Sequence, residues 1–265
     1  MQDIKLIVSD LDGTILDKNT HEVNPIVFKQ IEELKERGIL FIAASGRQYE
    51  NIQKKFTPVK DEIYYICENG CLSFINNQMI NHNTLDFNIV PTIVNDILSH
   101  NNAEVTISGV HTTYTIPKNP NFVTHLTNKV GVNVTVLNNL NELKEVPMKV
   151  SIFQEDNLID DAYWKNTYGS KLTVQTSGNC WLDMMPQGIN KAYALENMLQ
   201  ELHINSKEVV AFGDNENDNE MLKLVGYPIT MENSNPNTKP LSNYHTDEVY
   251  KVLEKILDNT FEYIK

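Results

Sequence analysis

Cysteine is scarce in this chain of 265 residues: Cys67, Cys71 and Cys180 are all it has. An odd count argues against a disulfide framework, and the Cys67/Cys71 spacing fits neither a redox nor a zinc pattern. Plain thiols in a reducing cytosol are the expectation. The seven histidines show no His-x-x-His or His-Glu-x-x-His spacing, which removes a zinc site from consideration. No run approaches the roughly eighteen uninterrupted apolar residues of a membrane span. The start lacks a basic stretch followed by an apolar core, since Asp3, Lys5 and Asp10 interrupt it, so a cytoplasmic protein is expected rather than a secreted one. The sequon Asn133-Val134-Thr135 therefore carries no weight. Positive charge is the other shortage, with 22 Lys and Arg against 35 Asp and Glu and a net charge of −13 at pH 7. Phosphate backbones and anionic membranes reward clustered cations, so neither nucleic acid nor a membrane is an expected partner.

A hydrophobic fraction of 41% is that of a globular protein, long enough for one large domain or two modest ones. Ile4 to Val8, Ile39 to Ala44 and Glu208 to Phe212 are nearly continuous apolar runs, the pattern of strands buried on both faces of a parallel sheet. Between the first two, Asn24-Pro25 marks a helix start, Val27, Ile31 and Leu34 share one face, and Gly38 closes the helix. Strand, helix, strand is a βαβ unit. A third strand, Ile63 to Cys67, ends at Glu68-Asn69-Gly70, and Leu72 to Ile75 with Met79-Ile80 read as a hairpin around Asn76-Asn77.

From about Asn83 the texture changes to a helix near Ile89 to Leu98, several short alternating strands, and a helix around Asp160 to Tyr168. Those strands suggest an antiparallel α+β module. Gly178-Asn179-Cys180-Trp181 there is a turn-and-strand stretch that either faces the active site or puts Trp181 in the module's core. The βα pattern resumes with a helix from Lys191 and runs to a C-terminal helix, Asp247 to Leu257. The reading is α/β: a Rossmann-like parallel core from 1–82 and 187–265, interrupted by an inserted α+β domain at 83–186.

Polar residues gather where open α/β sheets bind ligands, at the carboxyl ends of strands. Asp10-Leu11-Asp12-Gly13-Thr14 follows the first strand, Ser45-Gly46-Arg47 the second and Gly213-Asp214-Asn215-Glu216-Asn217-Asp218 the fourth; Lys191 begins a helix. The first stretch by itself could be an ordinary acidic turn. It is a poor calcium loop, because glycine stands fourth instead of sixth and His21 occupies the twelfth position. Taken in order, the four stretches resemble the four motifs of the haloacid dehalogenase-like superfamily, and the inserted module resembles the large α/β cap of its Cof-type branch. Ser45 stands where threonine is common, Ala192 where glycine is frequent, and Met231-Glu232-Asn233-Ser234 replaces a Met-Gly-Asn-Ala-like run.

That resemblance implies a Mg²⁺-dependent phosphatase acting on a small phosphorylated metabolite, sugar phosphates foremost. Asp10 would attack phosphorus and Asp12 would serve as general acid and base. Leu11, Ser45, Gly46, Lys191 and Asn217 would bind the phosphoryl group. Mg²⁺ would take the Asp10 and Asp214 carboxylates and the Asp12 backbone carbonyl, with Asp218 orienting waters or Lys191 behind them. Arg47 and Asn69 would touch substrate, the cap would close over the site and choose the leaving group, and the chain would be a monomer or weak homo-oligomer. Plainer structural readings exist too: Ser45 as a helix cap, Lys191 as a surface residue, Asp218 as an acid favoured at a helix start, Arg47 and Asn69 as braces of a loop. A phosphomutase on the same aspartyl phosphate, a phospho-signalling domain and a non-catalytic phosphosugar-binding protein are the rival functions.

Overall fold

The computed structural model describes residues 3–155, 159–177 and 180–263. It opens with β1 (Leu6–Asp10), α1 (Pro25–Glu36), β2 (Leu40–Ala44), α2 (Tyr49–Lys55), β3 (Tyr64–Cys67), β4 (Leu72–Ile75) and β5 (Gln78–His82). Then follow α3 (Val90–Ser99), β6 (Glu104–Ser108), β7 (Thr113–Thr115), α4 (Pro120–His125), β8 (Val134–Val136), β9 (Lys149–Phe153), α5 (Asp161–Tyr168), β10 (Leu172–Thr176) and β11 (Trp181–Pro186). The chain ends with α6 (Lys191–Glu201), β12 (Val209–Gly213), α7 (Asn219–Leu224), β13 (Tyr227–Met231), β14 (His245–Thr246) and α8 (Val249–Leu257). It forms two compact units, one from 1–81 and 190–265, the other from 82–189. Among the described residues no helix is long and apolar enough to cross a membrane.

In the first unit the described strands form one sheet in the order β14-β13-β12-β1-β2-β3-β4-β5. From β14 to β3 every pairing is parallel. Buried on both faces, β1, β2, β3 and β12 are mostly apolar. Leu6, Val8, Ile42 and Ala211 face Leu195 and Met198 of α6. α1 packs on α8, burying Val27, Ile31 and Leu34 on one helix and Val252, Leu253 and Ile256 on the other. The Asn24 side chain caps α1 by accepting from the Ile26 N–H, and Pro25 follows it. Connections run from β1 outward to β2 and β3 on one side, while β12 and β13 lie on the other. The order therefore reverses between β1 and β12, and the crevice beyond their carboxyl ends is where such sheets take ligands.

The second unit carries a sheet ordered β10-β11-β9-β6-β7-β8 among the described residues. One face is apolar, with Val105, Ile107, Val150, Ile152, Leu182 and Met184 packed with residues of α3 and α5. Alternation puts Thr106, Ser108, Lys149, Ser151 and Asp183 on the other, where Ser151 Oγ donates to Asp183 at 2.5 Å and Lys149 Nζ lies 3.3 Å from it. The sequence suggests an antiparallel module, but β7 and β8 pair in parallel. The chain leaves β7 through α4 and re-enters in the same direction, the crossover that parallel neighbours require. Trp181 packs against Phe153 at 4.8 Å between ring centroids, in a small cluster with Phe122 and Leu126. Gly178 and Asn179 lie outside the described residues.

Candidate active site

β1 delivers Asp10 buried at its carboxyl end. Buried Leu11 begins the turn that follows, and Gly13 bends it at φ +84°. A Cβ on Gly13 would lie 2.3 Å from Asp214 Oδ2, so glycine is what lets this turn approach the loop after β12. Thr14 Oγ1 donates to Asp214 Oδ1 at 3.2 Å across the same gap.

Lys191 enters from α6, whose N-terminus is capped by the Asn190 side chain accepting from the Tyr193 N–H. Its side chain runs inward, and Nζ donates to Asp10 Oδ1 at 2.5 Å and Asp218 Oδ1 at 2.7 Å. The other oxygen of Asp218 accepts from the Asp214 N–H at 3.0 Å and the Asn215 N–H at 3.2 Å. Asp218, fully buried, thus fixes both the lysine and the loop carrying Asp214.

Crowding of like charge dominates the electrostatics. Burial first, then the Asp218 charge, pushes the Asp10 carboxyl well above the usual carboxylate range, with Lys191 pulling the other way. Asp214 is pushed up to about 7 by burial and Asp218. Burial works against the Lys191 ammonium, but Asp10 and Asp218 outweigh it and raise its pKa.

Carboxylate oxygens of Asp10, Asp214 and Asp218 all lie within 4.8 Å of one another. Three carboxylates against one ammonium leave a surplus of two negative charges, which one divalent cation would balance. An all-oxygen donor set suits a hard cation such as Mg²⁺.

The loop after β2 and the loop after β3 complete the crevice. The Ser45 N–H donates to the Ile66 carbonyl at 2.9 Å, and Ser45 Oγ accepts from the Arg47 N–H at 3.2 Å. Gly46 stands between them. Glu68, Asn69 and Gly70 take φ of +51°, +52° and +103°, three left-handed residues in a row. Such conformations cost of order 1–3 kcal/mol each for residues with a Cβ and concentrate at functional sites. Here they send the Glu68 N–H to the Arg47 carbonyl at 3.0 Å and the Asn69 N–H to the Ser45 carbonyl at 3.0 Å. At Gly70 a Cβ would meet the Asn190 carbonyl at 2.1 Å. Asn217 Nδ2 donates to Asn69 Oδ1 at 3.2 Å, joining this loop to the one after β12.

Asp10, Lys191, Asp214 and Asp218 are therefore in direct contact or nearly so, and Ser45, Asn69 and Asn217 are tied to one another beside them. The Asp12 side chain goes elsewhere. It is half exposed and grips Arg47, which donates from Nε to Oδ2 at 2.7 Å and from Nη2 to Oδ1 at 2.6 Å. Sequence reading gave no role to Thr14 or to Asn51, whose Oδ1 accepts from Arg47 Nη1 at 2.8 Å. The only advance signal for Asn51 was its place four residues after Arg47, at the start of a short helix that the apolar pattern does not mark.

The haloacid dehalogenase-like hydrolase family model matches residues 7–252. The chain is 27% identical over 262 residues to 5-amino-6-(5-phospho-D-ribitylamino)uracil phosphatase YbjI of Escherichia coli, covering 96% of each chain. To HMP-PP phosphatase of Serratia proteamaculans it is 27% identical over 247 residues, 89% of this chain and 87% of the other. Among solved structures, SMU.1108c from Streptococcus mutans superposes with a TM-score of 0.85 at 25% identity, covering 97% of this chain and 98% of that one. A match across nearly the whole chain, on a sheet whose switch point holds the expected carboxylates and lysine, places this protein in the haloacid dehalogenase-like hydrolase family.

Proposed function

We propose that this enzyme is a Mg²⁺-dependent phosphatase that hydrolyses small phosphate monoesters, sugar phosphates foremost, through an aspartyl phosphate on Asp10. The family and the phosphatase relatives make the chain a phosphatase. What most supports the finer reading is one arrangement: a buried Asp10 at the switch point, 2.5 Å from a lysine ammonium and clustered with Asp214 and Asp218. A phosphate dianion resists attack by water, and a positioned carboxylate nucleophile divides the reaction into two easier displacements.

An Asp10 oxygen attacks phosphorus as the bond to the ester oxygen breaks. Asp12 gives its proton to that oxygen, which departs as an alcohol. A water molecule then attacks the aspartyl phosphate, passing a proton to Asp12, and the phosphorus–Asp10 bond breaks to release inorganic phosphate. Lys191, the Ser45 hydroxyl, Asn217 and N–H groups of the Leu11 and Gly46 turns suit the equatorial oxygens, whose charge grows in the transition state. Asp10, Asp214 and the Asp12 carbonyl would hold Mg²⁺, which would supply the positive charge that offsets the carboxylates and the phosphoryl group and favours ionised Asp10. Asp218 keeps Lys191 and the Asp214 loop in place.

The second unit selects the leaving group. A phosphorylated ribityl chain, in the name of the Escherichia coli relative, is a polyhydroxylated phosphate ester of the class proposed here. The test is phosphate release from a panel of sugar, nucleotide and cofactor phosphates, with Mg²⁺ or with EDTA. Mg²⁺-dependent release that ranks sugar phosphates first supports the proposal. Release indifferent to Mg²⁺, or from none of the esters by folded protein, overturns it.

A further inference from the structure

We propose that Arg47 and Asn51 are positioning residues for Asp12, fixing the place of its side chain and receiving by both oxygens the carboxylate that forms when Asp12 protonates the departing ester oxygen. The inference rests on the phosphatase reading above. Arg47 meets Asp12 fork to fork, at 2.6 and 2.7 Å, an arrangement that fixes the carboxylate's plane as well as its distance. The remaining Nη1 donates to Asn51 on α2, a residue only 6% exposed. At its other end the Arg47 backbone is held on both sides, its N–H by Ser45 Oγ and its carbonyl by the Glu68 N–H. Asp12 has no such support of its own, since its side chain is 51% exposed and it stands beside the Gly13 turn. Packing does not set its rotamer; the guanidinium does.

An ion pair this exposed contributes only about 0–1 kcal/mol to stability, so a structural purpose explains little of the arrangement. A chemical purpose explains more. When Asp12 gives its proton to the ester oxygen, the phosphorus–oxygen bond breaks and Asp12 becomes a carboxylate, the form that Arg47 holds. The charge created by proton donation is met by donors already in place, with no reorganisation at that moment. The same grip keeps Asp12 aimed while it takes a proton from the attacking water.

Leaving groups separate this role from plain phosphate binding. An alkyl alcohol leaves poorly without a proton, whereas p-nitrophenolate leaves as an anion, so in the first phosphoryl transfer, the step kcat/KM reports, only the alkyl ester leans on Asp12. kcat/KM is measured on a sugar phosphate and on p-nitrophenyl phosphate for the wild type, Arg47→Lys, Asn51→Ala, Asn51→Asp and Asp12→Asn. Lysine cannot reproduce the fork. Arg47→Lys and Asn51→Ala should lose at least about tenfold more on the alkyl ester than on the aryl ester, as Asp12→Asn does more strongly. Asn51→Asp, which keeps an acceptor for Nη1, should recover most of that difference. Arg47→Lys added to Asp12→Asn should leave the ratio unchanged. Equal losses on the two esters mean that Arg47 serves only the shared phosphoryl group, and they overturn the proposal. A wild type inert on both esters instead overturns the phosphatase reading on which it rests.

Discussion

Replacing Lys191 with methionine removes the one ammonium that separates Asp10 from Asp218. Lys191 is 1% exposed and Asp218 0%, and methionine fills much of the same volume, so the cost is electrostatic more than a cavity. Breaking a buried ion pair by removing one partner costs about 3–5 kcal/mol, because the other charge stays desolvated. Two carboxylates are stranded here, which puts the expectation at the upper end, about 5 kcal/mol. The sign with pH follows from the carboxyls. Lys191 lowers the Asp10 pKa, so without it Asp10 holds its proton to higher pH. The variant's deficit should be larger at about pH 8 than at about pH 5, because a protonated Asp10 needs no ammonium beside it. Urea unfolding in EDTA at both pH values measures it, and phosphate release measures the accompanying loss of about 10²–10³ in kcat. Adding Asp218→Asn should return part of the stability by removing one stranded charge. A deficit equal at the two pH values, or no deficit, would refute the claim that this lysine is held in place by charge.

The other predictions concern the turn, the metal and the second unit. Gly13→Ala forces a Cβ to 2.3 Å from Asp214 Oδ2 at φ +84°, so Mg²⁺ affinity, measured as the activating concentration, should weaken by about tenfold or more, with about 1–3 kcal/mol lost in stability. Wild-type affinity in that variant would show that the close approach is unimportant. Asp214, pushed up to about 7, keeps a proton in the folded state that the unfolded chain has already released. Metal-free protein should therefore lose stability as pH rises from about 4 to about 7, and Mg²⁺ should raise Tm more above that window than within it. Asp214→Asn should flatten both trends, and a stability curve rising over the same window would contradict the argument. Asp183→Asn removes a buried charge partner of Lys149 within the second unit and should cost about 3–5 kcal/mol in urea unfolding; wild-type stability would show that this pair carries no structural weight.

Parallel strands buried on both faces leave unbroken apolar runs, and so β1, β2 and β12 are legible in the sequence, along with the polar residues at their ends. α1 is plain from its cap and single apolar face. The parallel β7–β8 pair is not, because Val134–Val136 is short and largely exposed and its partner is chosen by the α4 crossover. α4 itself buries little beyond Phe122 among polar neighbours, too weak a pattern to mark a helix. Within the site, the carboxylates and Lys191 were legible from their motifs. The turn of Asp12 towards Arg47 was not, nor was Asn51, since a side-chain pairing between residues 35 positions apart leaves no trace in local pattern. The strain at Glu68–Gly70 was equally hidden, for a glutamate at φ +51° is held there by the loops around it.

The central claim is that phosphorus is transferred to Asp10. Wild-type enzyme turning over a good phosphate ester in Mg²⁺, quenched in acid and analysed by peptide mass, should carry one hydroxylamine-labile phosphoryl group on the peptide containing Asp10. Asp10→Asn should carry none and release no phosphate. Phosphate release that survives in Asp10→Asn, or a phosphoryl group on any other residue, would contradict the account.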